Sequence, residues 1–302
     1  MPAFISSLNV NGLNSKVKQF LLLTFLRQYK IDILFFQEHN LKDNFNLDII
    51  KEHFDIFVNT CFQHKGGTGF LIRKNAGIFV IKVDYHDSSR IINIRINIKD
   101  NIYQLLNVYG HSGSNLKTER ELLFSHELLF YLQNNLENVI LGGDLNCIIR
   151  DIDAYNTYSY LKSESLKKIV SDLKLVDVHN VNGVQIPQYT FIKQGYGSRI
   201  DRFYVNKLKH HILDFETIPV SFTDHHAVLF KLNIPIVQKI ARKSYWKFNN
   251  SFVDDKEIYA LFKKSWEVYK RAKPQYSNPL VWWENTKLEI ADLFKKKRKT
   301  LK

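Results

Sequence analysis

Short apolar runs of strand length recur along the first 235 residues, where polar turns or amphipathic stretches separate them. Between residues 55 and 108 these runs follow one another with no helical pattern between them, so a single doubly wound parallel sheet fits poorly. The pattern favours an α/β fold in which two mixed sheets pack together with helices outside. The strand-like runs include Ile33–Phe36, Gly69–Ile72, Ile78–Val83, Ile102–Val108, Val139–Leu141 and Ala227–Ile234.

Two stretches of this part, 16–29 and 118–135, have the apolar spacing of amphipathic helices. A surface helix buries its apolar face, so the residues at helical spacing predict which side chains lie against a sheet. In the first helix these residues are Val17, Phe20, Leu21 and Phe25, and in the second they are Leu122, Leu129 and Leu132.

Pro235 ends the last strand-like run, and the composition then changes. An amphipathic helix begins at Asp254, where Asp254 and Glu257 have the spacing of a capping box. A second helix follows Pro279 and runs into a lysine-rich end. The expected parts are a globular domain over 1–235 and a basic helical extension over 236–302.

The 302 residues are 45% hydrophobic, which is enough to form a core without disulfides or a structural metal. Cys61 and Cys147 have no partner spacing for a zinc site or a disulfide framework, which indicates a reducing compartment. The first residues lack the pattern of a secretion signal, and no stretch reaches about 18 consecutive apolar residues. We expect a soluble nuclear or cytoplasmic protein without a membrane partner.

Positive charge is concentrated in the extension. The whole chain has a net charge of +13, and residues 236–302 carry 17 Lys and Arg against 7 Asp and Glu. Each phosphate that a protein neutralises releases condensed counterions, so this balance is typical of a polyanion partner. A lysine-coated surface that only keeps the protein soluble explains the charge equally well.

Polar side chains suited to chemistry come just beyond several strand-like runs, and active sites of layered α/β proteins collect at strand ends. Taken alone, each has an ordinary interpretation as a turn, a helix cap, a solvated strand end or a surface histidine. The residues are Asn9, Asn11, Glu38, Tyr109, Asp144, Asn146, Asp201, Asp224 and His225.

Together these residues supply what metal-assisted hydrolysis of a phosphodiester needs. A carboxylate such as Glu38 holds a hard cation through oxygen, and the cation neutralises charge on the scissile phosphate. Asp144 and Asn146, two residues apart on an extended segment, point the same way and can orient a water. His225, kept cationic by a carboxylate such as Asp201, can donate to a phosphate oxygen.

The ordered motifs N-x-N-G, Q-E, V-Y, G-D-x-N, R-I-D and D-H resemble the superfamily of exonuclease III, the apurinic endonucleases and deoxyribonuclease I. The resemblance implies a four-layer α/β sandwich, two packed β-sheets flanked by helices, and a Mg²⁺ ion for which Mn²⁺ can substitute. It implies a metal and phosphate site at Glu38, Asn9 and Asp224. The implied catalytic roles are water activation by Asp144, its orientation by Asn146, a phosphate contact by Tyr109, and transition-state stabilisation by His225, which Asp201 orients.

Within this superfamily, three features resemble the endonucleases of LINE-type non-LTR retrotransposons. Asn11 stands where repair enzymes commonly have Asp, residues 189–191 and 198–201 read Y-T-F and S-R-I-D, and residues 245–251 resemble the stretch that joins endonuclease to reverse transcriptase. The resemblance implies an enzyme that nicks double-stranded DNA and leaves a 3′-hydroxyl to prime reverse transcription. The predicted substrate contacts are Asn11, Thr190, Tyr196, Ser198 and Arg199.

Loop 193–199 is the candidate for choosing the cut site, because a Gly-flanked Tyr196 and Arg199 could enter a groove or stack on a base. A plain hairpin connection explains the loop equally well. Ser112 stands where Asn is common in the superfamily, which leaves one phosphate contact open, and Arg202 occupies a usual Tyr or His position.

Two other functions stay open. One is an apurinic-site repair endonuclease of the same fold, and the other is a catalytically inactive, nucleic-acid-binding remnant of a retrotransposon protein. The intact set of polar residues argues against decay, and the basic extension argues against a phosphatase of small molecules or lipids. In the retrotransposon setting the extension could also bind the RNA of the element.

Overall fold

A computed structural model describes residues 2–42, 45–61, 66–133, 138–156, 161–181, 188–193, 195–235, 254–273 and 279–300. The chain divides into two compact units, Met1–Val237 and Gln238–Lys302. The six apolar runs of the first unit all form strands. No helix in the described ranges is long and apolar enough to cross a membrane.

Two six-stranded sheets form the centre of the first unit, with strand orders β14-β15-β1-β2-β4-β3 and β10-β13-β8-β7-β6-β5. Both are mixed, because β1 pairs with β2 and β7 pairs with β8 in parallel while the other pairs are antiparallel. A small third sheet has the order β11-β12-β9. The strands are β1 (Ala3–Asn9), β2 (Ile33–Gln37), β3 (Phe54–Asn59), β4 (Thr68–Arg73), β5 (Ile78–Tyr85), β6 (Ile91–Ile98), β7 (Asn101–Tyr109), β8 (Val139–Asp144), β9 (Ala154–Tyr155), β10 (Val176–Asp177), β11 (Phe191–Lys193), β12 (Tyr196–Ser198), β13 (Asp201–Val205), β14 (Ile212–Ile218) and β15 (Ala227–Leu232).

Three apolar clusters hold four layers together. The central cluster lies between the two large sheets, where Phe35, Phe70 and Phe203 meet edge to face with ring centroids 4.5 to 5.0 Å apart. A second cluster joins the first sheet to α1 and α2, and a third joins the second sheet to the helices from α3 to α5. These layers confirm the predicted four-layer sandwich. The helices are α1 (Lys16–Gln28), α2 (Asp48–Lys51), α3 (Lys117–Leu122), α4 (Leu129–Gln133) and α5 (Glu164–Asp172).

Of the four residues predicted on the buried face of α1, Phe25 is buried, and the other three are exposed. Val17 is 70% exposed and Phe20 is 58% exposed, whereas Leu22, Leu23 and Leu26 are buried against the first sheet. The polar Gln19 lies on the buried face because its side-chain amide donates to the carbonyl oxygens of Leu13 and Asn46. Because these hydrogen bonds offset the free-energy cost of burying the amide, Gln19 can share the buried face with the leucines.

Leu122 is also exposed, although Leu132 is buried as predicted. Between α3 and α4 the chain forms a π-helical stretch, Leu123–Leu128. An i→i+5 turn rotates the following residues relative to α-helical spacing, so Leu122 does not share a face with residues beyond the stretch. The buried residues of the stretch are Leu123, Phe124 and Leu128.

The second unit contains two helices, α6 (Lys256–Ala272) and α7 (Pro279–Thr300). Asp255, and not Asp254, is the N-cap of α6, because its carboxylate accepts hydrogen bonds from the amides of Glu257 and Ile258. The predicted cap is therefore displaced by one residue. The retrotransposon-like residues 245–251 lie outside the described residues.

Candidate active site

The ends of strands from both large sheets meet at one edge of the first unit. Asn9 lies opposite Gln37 in the parallel β1–β2 pair, and Tyr109 lies opposite Asp144 in the parallel β7–β8 pair. Strand β13 runs antiparallel to β8 and places Asp201 opposite Asp144. Because β15 runs antiparallel to β1, the residues just before it, Asp224 and His225, come to the same edge.

Asn9 ties two carboxylates together at this edge. Its side-chain Nδ2 donates to Glu38 Oε2 and to Asp144 Oδ2, each at 2.9 Å. Its Oδ1 accepts from the amide of Asn11 at 2.9 Å. Glu38 and Asn11 have φ values of +54° and +46°, in the left-handed region that non-glycine residues rarely adopt. The strained turns after β1 and β2 thus bring both side chains to the site.

His225 and Asp201 form a buried hydrogen-bonded pair. His225 Nδ1 donates to Asp201 Oδ2 at 2.9 Å, and His225 Nε2 lies 3.9 Å from Asp144 Oδ2. Burial lowers the pKa of His225, but the Asp201 carboxylate outweighs burial and raises that pKa to about 10. The imidazole is therefore cationic at neutral pH and directs a charged N–H toward the site. This hydrogen bond joins the two residues for which the resemblance implied that Asp201 orients His225.

Asp144 is the carboxyl group that contacts Asn9 and lies beside the His225–Asp201 pair. Burial raises its pKa to about 7, the Asp201 carboxylate acts in the same direction, and His225 opposes them. The amide of Asn146 donates to Asp144 Oδ1 at 3.0 Å, and Asn146 Nδ2 donates to the Gly110 carbonyl at 3.0 Å. A carboxyl group whose pKa is close to neutrality can take a proton from water at physiological pH.

Tyr109 ends β7 as a nearly buried side chain whose hydroxyl stays protonated. Burial raises its pKa well above the ordinary value, and the carboxylates of Asp144 and Glu38 raise it further. The Arg90 guanidinium lies 4.9 Å from the Tyr109 ring centroid, and Arg90 Nη1 donates to the carbonyls of Tyr109 and Gly110 at 3.2 Å. Arg90 was not predicted as a site residue, because a lone arginine after two serines forms no motif in the sequence.

These side chains line an open cavity of about 280 Å³. Most of the lining is polar, and its apolar residues include Leu161, Phe191 and Ile200. Asp201 is not part of the cavity lining, but it is hydrogen-bonded to His225, which is. The predicted site residues that line the cavity are Asn9, Asn11, Glu38, Tyr109, Asp144, Asn146, Tyr196, Ser198, Asp224 and His225.

The donor atoms suit a hard divalent cation. Glu38 and Asp224 offer carboxylate oxygens to the same cavity, and Asn11 Nδ2 orients Asp224 by donating to its Oδ1 at 3.2 Å. The ligand atoms of Asp144, Asp201 and His225 also lie within 4.8 Å of one another. Because His225 already bonds Asp201, the residues that could hold the cation are Glu38, Asn9 and Asp224, the set that the resemblance implied. Oxygen ligands and a cavity open to water fit Mg²⁺ or Mn²⁺.

The predicted substrate contact of Arg199 was wrong. Arg199 is only 2% exposed, and its Nη2 lies 2.8 Å from both Asp153 Oδ1 and Asp177 Oδ2. Arg202 pairs with the same two carboxylates, at 2.8 and 3.2 Å. Arg199 cannot reach a phosphate without giving up both of its buried ion pairs.

Thr190 is also buried and does not face the cavity. Its hydroxyl oxygen accepts a hydrogen bond from the amide of Asp201 at 3.1 Å, so Thr190 fixes the start of β13 and not a substrate. The Asp153 and Asp177 partners of Arg199 were absent from the predicted site, because both lie far away in sequence. In loop 193–199, Gln194 lies outside the described residues. The ring centroids of Tyr196 and Phe191 lie 6.2 Å apart.

Comparison with known proteins shows that the chain is similar to one protein family and to a transposon protein. The profile described as "Endonuclease/Exonuclease/phosphatase family" matches residues 6–225. The Xenopus laevis "Transposon TX1 uncharacterized 149 kDa protein" is 26% identical over 302 residues, which is 96% of this chain. The chain spans about a fifth of that protein, since the match covers 22% of its length. The relative agrees with the predicted resemblance to LINE-type elements.

Solved structures share the fold. An AP endonuclease from Leishmania major has a TM-score of 0.67 at 19% identity, covering 78% of this chain and 88% of its own. An AP endonuclease from Archaeoglobus fulgidus has a TM-score of 0.63 at 18% identity, covering 77% and 100%. Because the family profile runs from the first strand to His225, the chain belongs to the endonuclease/exonuclease/phosphatase family.

Proposed function

We propose that this chain is a divalent-metal-dependent endonuclease that nicks double-stranded DNA and leaves a 3′-hydroxyl, as in target-primed retrotransposition. The observation that carries the proposal is that Glu38, Asp144 and His225 line one open cavity with a cationic imidazole beside a buried carboxyl group. The transposon protein that matches 96% of the chain supports the retrotransposon setting.

In the proposed reaction, a water oxygen bonds to phosphorus and the bond from phosphorus to the 3′-oxygen breaks, which gives a 5′-phosphate and a 3′-hydroxyl. Asp144 accepts a proton from the attacking water, which Asn146 helps to orient. His225 and Tyr109 donate hydrogen bonds to the non-bridging oxygens as negative charge develops there. Glu38, Asn9 and Asp224 would hold a divalent cation, which would supply charge neutralisation at the phosphate and the leaving oxygen.

Supercoiled plasmid tests the proposal. Mg²⁺ or Mn²⁺ should convert it to open circle, and EDTA should stop the conversion. A DNA polymerase should extend the nicks without prior removal of a 3′-phosphate, because the proposed cut leaves a 3′-hydroxyl. Asp144→Asn purified in parallel controls for contaminating nucleases. Cleavage that persists in EDTA contradicts the metal role, and nicks that cannot be extended contradict the proposed bond scission.

An apurinic-site endonuclease is the second candidate. Two structures that share the fold are AP endonucleases by name. The lining of the cavity also includes the apolar residues Leu161, Phe191 and Ile200, which suit contact with a sugar that lacks its base. A pair of duplexes that differ only by one abasic residue separates the functions. Cleavage of the abasic duplex alone favours repair, and absence of cleavage with retained DNA binding favours an inactive remnant.

We also propose that the extension, residues 236–302, adds affinity for double-stranded DNA or element RNA without choosing a sequence. Lysine and arginine contacts to phosphate position a protein but do not read bases. The free thiols of Cys61 and Cys147 are consistent with the reducing nuclear or cytoplasmic location proposed for the protein.

A further inference from the structure

The second unit holds its two helices together with a small aromatic core. Phe262 lies 6.2 Å from Trp266 and 5.9 Å from Phe294, measured between ring centroids. Trp282 is fixed by a hydrogen bond from its Nε1 to the Tyr269 carbonyl at 2.9 Å. These rings lie between α6 and α7, so their role is to stabilise the unit.

Trp283 differs from its neighbour Trp282. It is 41% exposed, and Lys287 Nζ lies 5.8 Å from its ring centroid. Leu280, Trp283 and Lys287 follow one another at i, i+3 and i+7, so they share one face of α7. This face presents a flat aromatic surface, an apolar residue and a cation side by side.

We infer that this face of α7 binds single-stranded nucleic acid by stacking a base on Trp283, with Lys287 beside the adjoining phosphate. The excess of 17 Lys and Arg over 7 Asp and Glu in residues 236–302 complements a polyanion. A duplex hides the faces of its bases in its own stack, whereas a single strand offers them to an aromatic ring. The inference deepens the nucleic-acid role proposed for the extension.

The position of the tryptophans makes the inference measurable in the full chain. All four tryptophans, Trp246, Trp266, Trp282 and Trp283, lie in the extension, so tryptophan fluorescence reports on this unit alone. The parent protein is the Asp144→Asn variant in EDTA, which prevents cleavage. It is titrated with oligo(dT), with a strand of equal length that has the same backbone but no bases, and with a duplex of equal length.

Oligo(dT) should quench the fluorescence in a saturable way, and the strand without bases should bind with little quenching. Trp283→Ala should weaken oligo(dT) binding by roughly 5- to 150-fold, the loss expected from removing one base–aromatic stack. Trp283→Phe keeps a ring and should restore most of the affinity. Lys287→Gln should make the slope of log affinity against log salt less negative by about 0.7, the value for one single-strand phosphate.

Tyr259→Ala is the matched control, because Tyr259 is an exposed aromatic residue on α6, outside the face formed by Leu280, Trp283 and Lys287. It should leave oligo(dT) affinity unchanged. Equal quenching by the strand without bases or by the duplex overturns the inference, as does a Trp283→Ala variant that binds like its parent. Plasmid nicking by Tyr259→Ala with Asp144 intact should be normal. Failed nicking with intact stacking contradicts only the endonuclease proposal.

Discussion

Two buried clusters of charge lie on either side of the short segment from Arg199 to Arg202. On one side, Arg199 and Arg202 pair with Asp153 and Asp177, so two cations meet two anions. On the other side, Asp201 pairs with His225 beside Asp144 and Glu38, and the carboxyl groups outnumber the imidazole. The second cluster opens into the cavity that the predicted site residues line, whereas Asp177 and Arg202 of the first cluster line a separate cavity of about 260 Å³.

The pKa values of the carboxyl groups show what this difference means. Burial acts to raise the pKa of Asp153 and Asp177, but the two guanidinium groups outweigh it and hold both below the ordinary value. At Asp144, burial and Asp201 prevail over His225, and the pKa rises to about 7. A balanced cluster serves stability, whereas a cluster with excess carboxylate beside a cavity is suited to a cation and to proton transfer.

The largest expected effect is loss of nicking when the unbalanced cluster is changed. Asp144→Ala and His225→Ala should each lower the rate of plasmid nicking at least about 10²-fold, because they remove the proposed general base and the proposed donor to the transition state. Asp214→Ala, which breaks an exposed ion pair with Lys231, is the control and should keep the parental rate. Rates within a few-fold of the parent for both site variants would mean that the chemistry lies elsewhere.

Changing the balanced cluster should reduce stability. Arg199→Ala should lower the free energy of unfolding by about 3–5 kcal/mol, since it leaves two buried carboxylates to share the single guanidinium of Arg202. Urea denaturation followed by circular dichroism measures the change. Lys162→Ala removes an exposed ion pair with Asp151 and should cost no more than about 1 kcal/mol. A stable Arg199→Ala protein with a large loss of nicking would restore Arg199 as a substrate contact.

The pH dependence of stability distinguishes the clusters more finely. The pKa of His225 is raised to about 10 in the folded state, so its contribution is fully present below the unfolded value of about 6.5 and is lost as pH rises toward 10. The lowered pKa of Asp153 has the opposite sign, and its contribution is lost as pH falls below about 3.9. Urea midpoints in EDTA should therefore fall with rising pH in the parent and fall less in His225→Gln. Parallel curves for the two proteins would contradict the raised pKa.

The same comparison shows how much the sequence can predict. Each predicted residue of the cavity lies at the end of a strand or within three residues of one, so the apolar pattern was enough to expect these side chains at one edge, and the ordered motifs implied their roles. Arg199 was misassigned because its role depends on Asp153 and Asp177, which lie 46 and 22 residues away. Most of the buried face of α1 was missed because the hydrogen bonds of Gln19 are tertiary contacts. Local pattern predicts strands and strand ends, whereas partners distant in sequence decide which charges are structural.

The smallest expected effect concerns where the DNA is cut. The hairpin of β11 and β12 lies between the two clusters, with Thr190 bound to Asp201 at its start and Arg199 fixed at its end. Tyr196 and Ser198 are the two predicted contacts of this hairpin that line the cavity, so Tyr196→Ala should shift the pattern of nicks on a defined duplex.

Truncation of the chain at residue 235 should keep the pattern of nicks, because the lysines lost with the extension are proposed to contact only phosphate. The truncated chain should also show a flatter dependence of log affinity on log salt. Tyr259→Ala in the full chain controls for loss of an exposed aromatic side chain. If truncation moves the nicks while Tyr196→Ala leaves them in place, the extension and not the hairpin selects the site.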